Sequence, residues 1–156
     1  MTTTRRQFLV LACGALATGA NAQLTPNIAA LRKAALDEAV RKVVGDATLR
    51  PGRVRLDLPP LIENGNSVPL TVTVDSPMSA ADHVRAIHVF TEKNPQPNVI
   101  TAWLGPRAGR ASIATRARIA DTGTVIAVAQ LSDGSFWSDS VNVVVTLSAC
   151  LEDGLI

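Results

Sequence analysis

Residues 68–75 read Val-Pro-Leu-Thr-Val-Thr-Val-Asp, so apolar and polar side chains alternate through most of this stretch. Successive side chains of a β-strand point to opposite faces, which makes such alternation typical of a strand with one face in a core and one in water. The same pattern occurs at residues 53–58, where Val54, Leu56 and Leu58 alternate with polar neighbours. Both segments indicate a protein built from half-buried strands.

Five further segments are rich in apolar and β-branched residues, and turn sequences such as Asn-Gly-Asn at 64–66 and Asp-Gly at 133–134 separate the strands. The additional predicted strands are residues 84–92, 99–104, 111–119, 124–131 and 135–147. Segment 124–131 has apolar residues on both faces, which is typical of a buried or interface strand. About seven short strands at this spacing predict an antiparallel β-sandwich of the immunoglobulin-like type.

One helix is predicted in front of the strands. Apolar residues between positions 28 and 43 recur at steps of three and four, until Gly45 ends the pattern. We expect Thr25 to cap this helix and Pro26 to occupy its first position, where proline is favoured. The expected fold is therefore mainly β, with one N-terminal helix before the sandwich.

The first 22 residues carry the features of an export signal. Arg5 and Arg6 precede a short apolar run at residues 10–17, and the sequence Ala-Asn-Ala at 20–22 places small residues where a signal peptidase cleaves. A membrane-spanning helix needs about 20 apolar residues, which this run does not reach. We expect twin-arginine export, cleavage after Ala22, and a periplasmic chain without a membrane anchor. A lipid-modified Cys13 is the weaker alternative.

These features divide the chain into a signal at 1–22, a helix and sandwich domain at 23–147, and an arm at 148–156. The mature length suits one domain with its own core. Removal of the two signal arginines leaves thirteen basic residues against thirteen acidic ones. This balance and the scarcity of aromatic residues disfavour a nucleic-acid binder, because such proteins present basic surfaces and stacking platforms.

Cys150 is expected to be the only thiol of the mature chain, because Cys13 leaves with the signal. Cys150 follows a β-forming run at 141–147, so it should project about 10 Å beyond the last strand when the arm is extended. A lone cysteine in an exported protein is a reactive thiol, an intermolecular disulfide partner or an inert residue. The carboxylates of Glu152 and Asp153 disfavour the thiolate, so activation would have to come from a partner's site.

Other chemistry-bearing residues give little support for an enzyme. His83 and His88 are the only histidines, and neither is spaced from the other or from Cys150 as metal ligands are. No nucleophile elbow, phosphate loop or nucleotide fingerprint is present in the sequence. Arg107 and Arg110 lie in a Gly- and Pro-rich segment that we interpret as a solvated turn. We expect no metal, cofactor or catalytic residue, and we expect these strand aromatic residues in the core or at an interface: Trp103, Phe136 and Trp137.

Four segments resemble SoxY, the sulfur-carrying subunit of the periplasmic thiosulfate-oxidising (Sox) system. They are Glu-Asn-Gly-Asn-Ser-Val-Pro at 63–69, Ile-His-Val-Phe-Thr-Glu-Lys-Asn-Pro at 87–95, Thr-Arg-Ala-Arg-Ile-Ala at 115–120 and Ser-Asp-Gly-Ser-Phe-Trp at 132–137. The resemblance implies an immunoglobulin-like domain in a heterodimer with a second small β-sandwich subunit, SoxZ. It also implies an arm cysteine that holds the sulfur substrate covalently, and Cys150 matches that cysteine by position.

The arm departs from the family pattern. The usual arm is Gly-Gly-Cys-Gly-Gly at the terminus, whereas here Ser148, Ala149, Leu151 and Glu152 flank Cys150 and four more residues follow. Side chains remove backbone freedom that glycine provides, so this arm should be stiffer and bulkier. It is similar to the arm of SoxY-related proteins that carry Ala-Ala-Cys-Ile-Glu.

The sequence and the resemblance together predict a periplasmic carrier of sulfur intermediates that is not itself an enzyme. Its expected partners are a SoxZ-like subunit and, transiently, the enzymes that oxidise and hydrolyse the bound sulfur. A non-catalytic assembly subunit, whose Cys150 forms an interchain disulfide or is inert, is the competing hypothesis. A thiol oxidoreductase or peroxidase is less favoured, because no second cysteine or basic neighbour in the sequence activates the thiol.

Overall fold

The computed structural model describes residues 27–148 of the chain, and this part contains one α-helix and nine strands joined by loops. In chain order they are α1 (Ile28–Val44), β1 (Leu49–Pro51), β2 (Val54–Asp57), β3 (Leu61–Ile62), β4 (Val68–Val74), β5 (Val84–Thr91), β6 (Asn98–Trp103), β7 (Ser112–Ala117), β8 (Gly123–Leu131) and β9 (Phe136–Val145). Within this range no helix is long and apolar enough to cross a membrane. The predicted signal and its cleavage site lie outside the described residues.

Helix α1 begins two residues later than predicted. Its N-cap is Asn27, whose side-chain oxygen accepts a hydrogen bond from the Ala30 N–H at 3.3 Å. Asparagine is among the preferred capping residues because it satisfies an amide that has no partner inside the helix. The prediction of Thr25 as the cap is therefore wrong. The predicted end is confirmed, since Gly45 terminates the helix with a φ of 64° that suits glycine.

The strands form two sheets. The larger has the order β1-β9-β8-β5-β6, with β3 pairing separately with β9, and the smaller has the order β2-β4-β7. The long ladders, β5 with β8 and β8 with β9, are antiparallel. The prediction of a mainly β, immunoglobulin-like sandwich is confirmed, and each of the seven predicted strands is present. Two short strands, β1 and β3, were not predicted, and both pair with β9 in parallel.

The main core lies between the two sheets. Strand β4 alternates buried and less buried residues through its seven positions, as the sequence of 68–75 indicated. Its buried side chains face the apolar residues of β8 in one continuous cluster, which includes Val68, Leu70, Val72, Val74, Val125, Ala127, Ala129 and Leu131. Full burial of a valine or leucine side chain contributes about 1.5–3 kcal/mol, so the alternation in β4 contributes directly to stability.

Helix α1 covers the outer face of the larger sheet. Leu36 of the helix packs with Phe90, Val128 and Phe136 of three sheet strands in a second cluster, and Phe90 and Val128 are fully buried. Strand β8 is therefore apolar on both faces because one face meets the smaller sheet and the other meets the helix. The interpretation of 124–131 as a buried strand is confirmed, and its second apolar face does not require a partner subunit.

Candidate functional site

Strand β9 leads toward the predicted cysteine arm, and we refer to its end, as far as Leu147, as the arm base. Paired residues of β8 and β9 extend only to Gly123 and Val143. Beyond them, the Val145 N–H donates to Thr122 Oγ1 at 2.9 Å, and the Thr122 hydroxyl donates to the Val145 carbonyl at 3.4 Å. The Thr122 side chain thus takes the place of a neighbouring strand and holds the last residue of β9 in position.

The opposite side of the same segment is held by residues 62–65. The Thr146 N–H donates to the Ile62 carbonyl at 2.9 Å, and the Gly65 N–H donates to the Leu147 carbonyl at 3.0 Å. The Thr146 hydroxyl also lies 3.2 Å from the Glu63 carbonyl. The chain is therefore held on both sides as far as Leu147, three residues before Cys150.

Gly65 connects the arm base to two other loops. Its carbonyl accepts the Ile119 N–H at 2.8 Å, so one residue binds both the end of β9 and the segment after β7. That segment is braced in turn by Asn94, whose side chain donates to the Arg118 carbonyl at 2.9 Å and accepts the Ala120 N–H at 2.8 Å. The result is a continuous set of hydrogen bonds from the β5–β6 loop to the arm base.

A carboxylate lies beside the first residue of the arm. The Ser148 hydroxyl is 3.4 Å from Oδ1 of Asp121, and the same oxygen of Asp121 accepts the Thr122 N–H at 2.7 Å. Ser148 is exposed and is the one predicted arm residue within the described range. The others, Ala149, Cys150, Leu151 and Glu152, lie outside the described residues.

Three exposed apolar side chains, Leu61, Val144 and Leu147, lie at the arm base, and we refer to them as the base patch. Their exposed fractions are 59%, 52% and 60%. Leu61 and Val144 are directly paired across the parallel contact between β3 and β9, and Leu147 follows at the end of that segment. The sequence analysis missed this patch, because strand β3 has two residues and shows no alternation.

The histidine and aromatic residues lie elsewhere in the sheet. His88 is buried, and its Nδ1 is 3.1 Å from Thr101 Oγ1. Its ring stacks on Phe90 and meets Trp103 edge-on, with ring centroids 6.3 Å and 6.0 Å apart. Burial lowers the pKa of His88 below the ordinary histidine value. Trp103 is 74% exposed on the edge strand β6, so its predicted core position is wrong and the interface alternative stays a prediction.

The remaining candidate groups lie in an exposed turn and in strand β9. Arg107 lies in an exposed 3₁₀ turn, Pro106–Ala108, which confirms the predicted turn. Phe136 is buried under the helix, and the guanidinium groups of Arg50 and Arg53 each lie 5.7 Å from the centroid of the Trp137 ring. Among residues 27–148, no group of three or more histidine, cysteine and carboxylate side chains is arranged to hold a metal ion.

Comparison with known proteins identifies the family. The model of the family described as "Sulfur oxidation protein SoxY" matches residues 40–150. The chain belongs to the SoxY family. The sulfur carrier protein SoxY from Chlorobium limicola f thiosulfatophilum has a similar structure, with 27% sequence identity and a TM-score of 0.62 over 74% of this chain and 99% of that chain. The search of curated proteins found no match. Family and structure together support a sulfur carrier with a role in sulfur oxidation.

Superoxide reductases share the same sandwich at lower identity. The neelaredoxin of Ignicoccus hospitalis is 15% identical with a TM-score of 0.54, over 60% of this chain and 80% of that chain. A Thermotoga maritima protein assigned as a superoxide reductase is 19% identical with a TM-score of 0.52, over 64% of this chain and 93% of that chain. These likenesses show the fold alone. The SoxY family match, by contrast, extends through position 150 and so includes Cys150.

Proposed function

We propose that this SoxY-family chain holds sulfur intermediates covalently on Cys150 and presents them to separate oxidising and hydrolysing enzymes, without catalysing a step itself. The observation that carries the proposal is the clamped arm base. Thr122 and Gly65 hold the chain through Leu147, and three further residues span about 10 Å when extended. The thiol would therefore leave the sandwich from a defined point, close enough to be bound and far enough to enter a partner's cleft.

The chemistry of loading explains why partners are needed. A sulfur–sulfur bond between the Cys150 thiolate and a reduced sulfur species forms with the loss of two electrons, which an oxidising partner has to accept. Release of the oxidised sulfur group by hydrolysis consumes water in a second partner. Glu152 and Asp153 follow Cys150 in the sequence, and carboxylates disfavour a neighbouring thiolate, so the proposal assigns activation of the thiol to the partner's site.

We also propose that the carrier is periplasmic, exported by the twin-arginine route with cleavage after Ala22, and paired with a SoxZ-like β-sandwich subunit. Family membership supports the partner, and so does Trp103, since exposed aromatic residues are enriched at protein interfaces. N-terminal sequencing of periplasmic protein tests the export route, and a mature chain that retains Arg5 and Arg6 would contradict it. Co-expression with the candidate subunit and size-exclusion chromatography test the pairing, and a stable monomer would contradict that.

Cys150→Ser tests the carrier function directly. We expect the variant to lose the sulfur adduct and the pathway flux, and to keep its folding and partner binding, because the substitution removes the acceptor atom and no core contact. Intact-protein mass spectrometry in the native host measures the adduct. Cys13→Ser is the matched control and should leave the adduct unchanged. Unchanged sulfur oxidation in Cys150→Ser, or a wild-type chain found only as an interchain disulfide, would favour the assembly subunit instead. A sulfenic acid on Cys150 would favour a peroxidase.

A further inference from the structure

The sandwich is closed along one side and open along the other. On the closed side, β2 lies against β9, and the Leu56 N–H of one sheet donates to Asp139 Oδ2 of the other at 2.9 Å. On the opposite side, β6 pairs only with β5 and β7 only with β4 in the described part of the chain, so each is the last strand of its sheet. These two edge strands lie beside each other and are connected by residues 104–111, and we refer to β6, β7 and the connection as the open side.

The main core is incompletely covered on the open side. Of the six partly buried apolar residues that pack on this core, four belong to the open side: Val99, Ile100, Leu104 and Ile113. Trp103, the last residue of β6, is 74% exposed. An edge strand also carries a row of backbone N–H and C=O groups that no neighbouring strand binds, and a strand of another chain can pair with them. Apolar side chains next to an open strand edge therefore indicate a contact with another protein.

The open side is basic. Residues 94–120 contain four arginines and no aspartate or glutamate, although the whole chain has 15 basic and 13 acidic residues. Arg107 and Arg110 are exposed in the connection between the edge strands, and the carbonyl of exposed Arg85 accepts the Leu104 N–H at 2.9 Å. None of these three arginines forms an ion pair in the part of the chain that the structure describes. A partner with carboxylates would neutralise them, since complementary charge steers association and disfavours wrong partners.

A second copy of this chain does not suit the open side. A two-fold interface places the same surface on both molecules, so arginines would face arginines, and opposed like charges disfavour association. A nucleic acid would match the charge but would leave the apolar residues and the strand edge without a partner. An extended protein strand with acidic side chains satisfies all three features together.

We propose that the open side binds an acidic, extended strand of the partner subunit, and that this strand adds to the edge of β6. Its backbone pairs with the free edge, and its apolar side chains cover Val99, Ile100 and Trp103. Its carboxylates meet Arg107 and Arg110. The inference rests on the proposed function for the existence of a second subunit, and it deepens that function by assigning where the subunit binds and which charge it presents.

Binding at β6 keeps the partner subunit away from strand β9. In the larger sheet β8 and β5 lie between β9 and β6, so β9 is three strand spacings, about 14 Å, from the open edge. The subunit and an enzyme that approaches the end of β9 therefore use different edges of the sheet, and both can bind the carrier at once.

Binding of the purified SoxZ-like subunit of the native host to the full mature chain, measured by calorimetry, tests the assignment. Trp103→Ala should weaken binding about tenfold or more, because an aromatic residue at an interface carries a large share of the binding energy. Arg107→Glu should weaken binding about tenfold at low salt and should flatten the dependence of the affinity on salt, because it replaces an attraction by a repulsion.

Leu61→Ala and Arg55→Glu are the matched controls. Leu61 is 59% exposed on β3, which pairs with β9 and not with the open edge, and Arg55 is an exposed arginine of β2 on the closed side. Both variants should bind the subunit as the wild type does. Circular dichroism checks the folding of all four variants, which their exposed positions favour.

Amide hydrogen exchange tests the strand addition itself. The bound subunit should slow exchange at those amides of β6 that β5 does not bind, and it should leave the amides of β2 unaffected. Unchanged exchange along β6 would overturn the assignment, as would equal affinity of the wild type, Trp103→Ala and Arg107→Glu. If a DNA duplex binds the wild type but not Arg107→Glu, and the subunit does not protect β6, the open side is a polyanion site and the proposal is wrong.

Failure of this assignment differs from failure of the proposed function. A subunit that binds all variants as it binds the wild type leaves the pairing intact and removes only the assigned surface. A subunit that does not bind the wild type removes both the pairing and the surface. The carrier function is scored separately, on the sulfur adduct of Cys150, which the binding assay does not use.

Discussion

Thr122→Val should loosen the end of strand β9 and leave the core intact. Valine has nearly the same shape as threonine, so the substitution removes the hydroxyl and little else. The Val145 N–H then loses the oxygen that it binds at 2.9 Å, and the Val145 carbonyl loses its donor at 3.4 Å. A buried amide left without a partner costs about 1–3 kcal/mol. Thr122 itself is exposed, so water replaces part of the bond and we expect about 1–2 kcal/mol.

Amide hydrogen exchange at Val145 measures this loss at the site. A change of about 1–2 kcal/mol corresponds to about 5- to 30-fold faster exchange. Because the perturbation is centred on a strand end, amides in the centre of β8 should lose less protection than the Val145 amide. A stability change of about 1 kcal/mol would also lower the melting temperature by about 3–6 °C in a domain of this size.

Thr124→Val is the matched control, because its hydroxyl donates to Asn142 Oδ1 at 2.9 Å on the exposed side of the same two strands. Loss of this exposed bond should change stability by less than about 0.5 kcal/mol and should leave Val145 exchange unchanged. The explanation of the arm base is wrong if Val145 exchanges at the wild-type rate in Thr122→Val. It is also wrong if both variants accelerate that amide equally.

Two further predictions concern the helix-covered face of the larger sheet. Leu36→Ala should lower the free energy of unfolding by about 2–5 kcal/mol in urea titration, because Leu36 is buried between helix and sheet, whereas Leu31→Ala, at an exposed position, should have little effect. Burial lowers the pKa of His88, so the unfolded chain takes up the proton more readily than the folded one. Stability should therefore be complete above the unfolded pKa of about 6.5 and fall as the pH drops below it, and His88→Gln should weaken this fall. If the stability of the wild type and of His88→Gln declines equally between about pH 7 and 5, His88 is not the cause of the decline.

The sequence predicted the long strands well because the alternation of apolar and polar residues, which identifies a strand, also produces the burial that stabilises it. Alternation at 68–75 places one row of side chains in the core, and that burial is what makes the segment a strand. Strands β1 and β3 have three and two residues, so no local pattern can identify them. Both are strands because they pair with β9, which is distant from them in sequence.

The candidate site could be predicted only in part from the sequence, because some of its contacts are long-range. The position of Cys150 after the last strand could be read directly from the chain. The clamp that holds the arm base could not, because Thr122 and Val145 are 23 residues apart, and the Thr146 hydroxyl meets the Ile62 carbonyl across 84 residues. The Asn-Gly-Asn turn at 64–66 was visible as a turn, but its contact with Leu147 depends on the folded sandwich.

Three of the four segments that carry the family resemblance meet at the arm base. Asn94, in segment 87–95, binds the backbone of Arg118 and Ala120 in segment 115–120. Ile119 of that segment binds Gly65 in segment 63–69, and Gly65 binds Leu147. Loops ordinarily tolerate change when they only connect strands. Under the proposed carrier function these loops have a second task, which is to hold the arm's origin in place, since a short arm would deliver its cargo accurately only from a defined point.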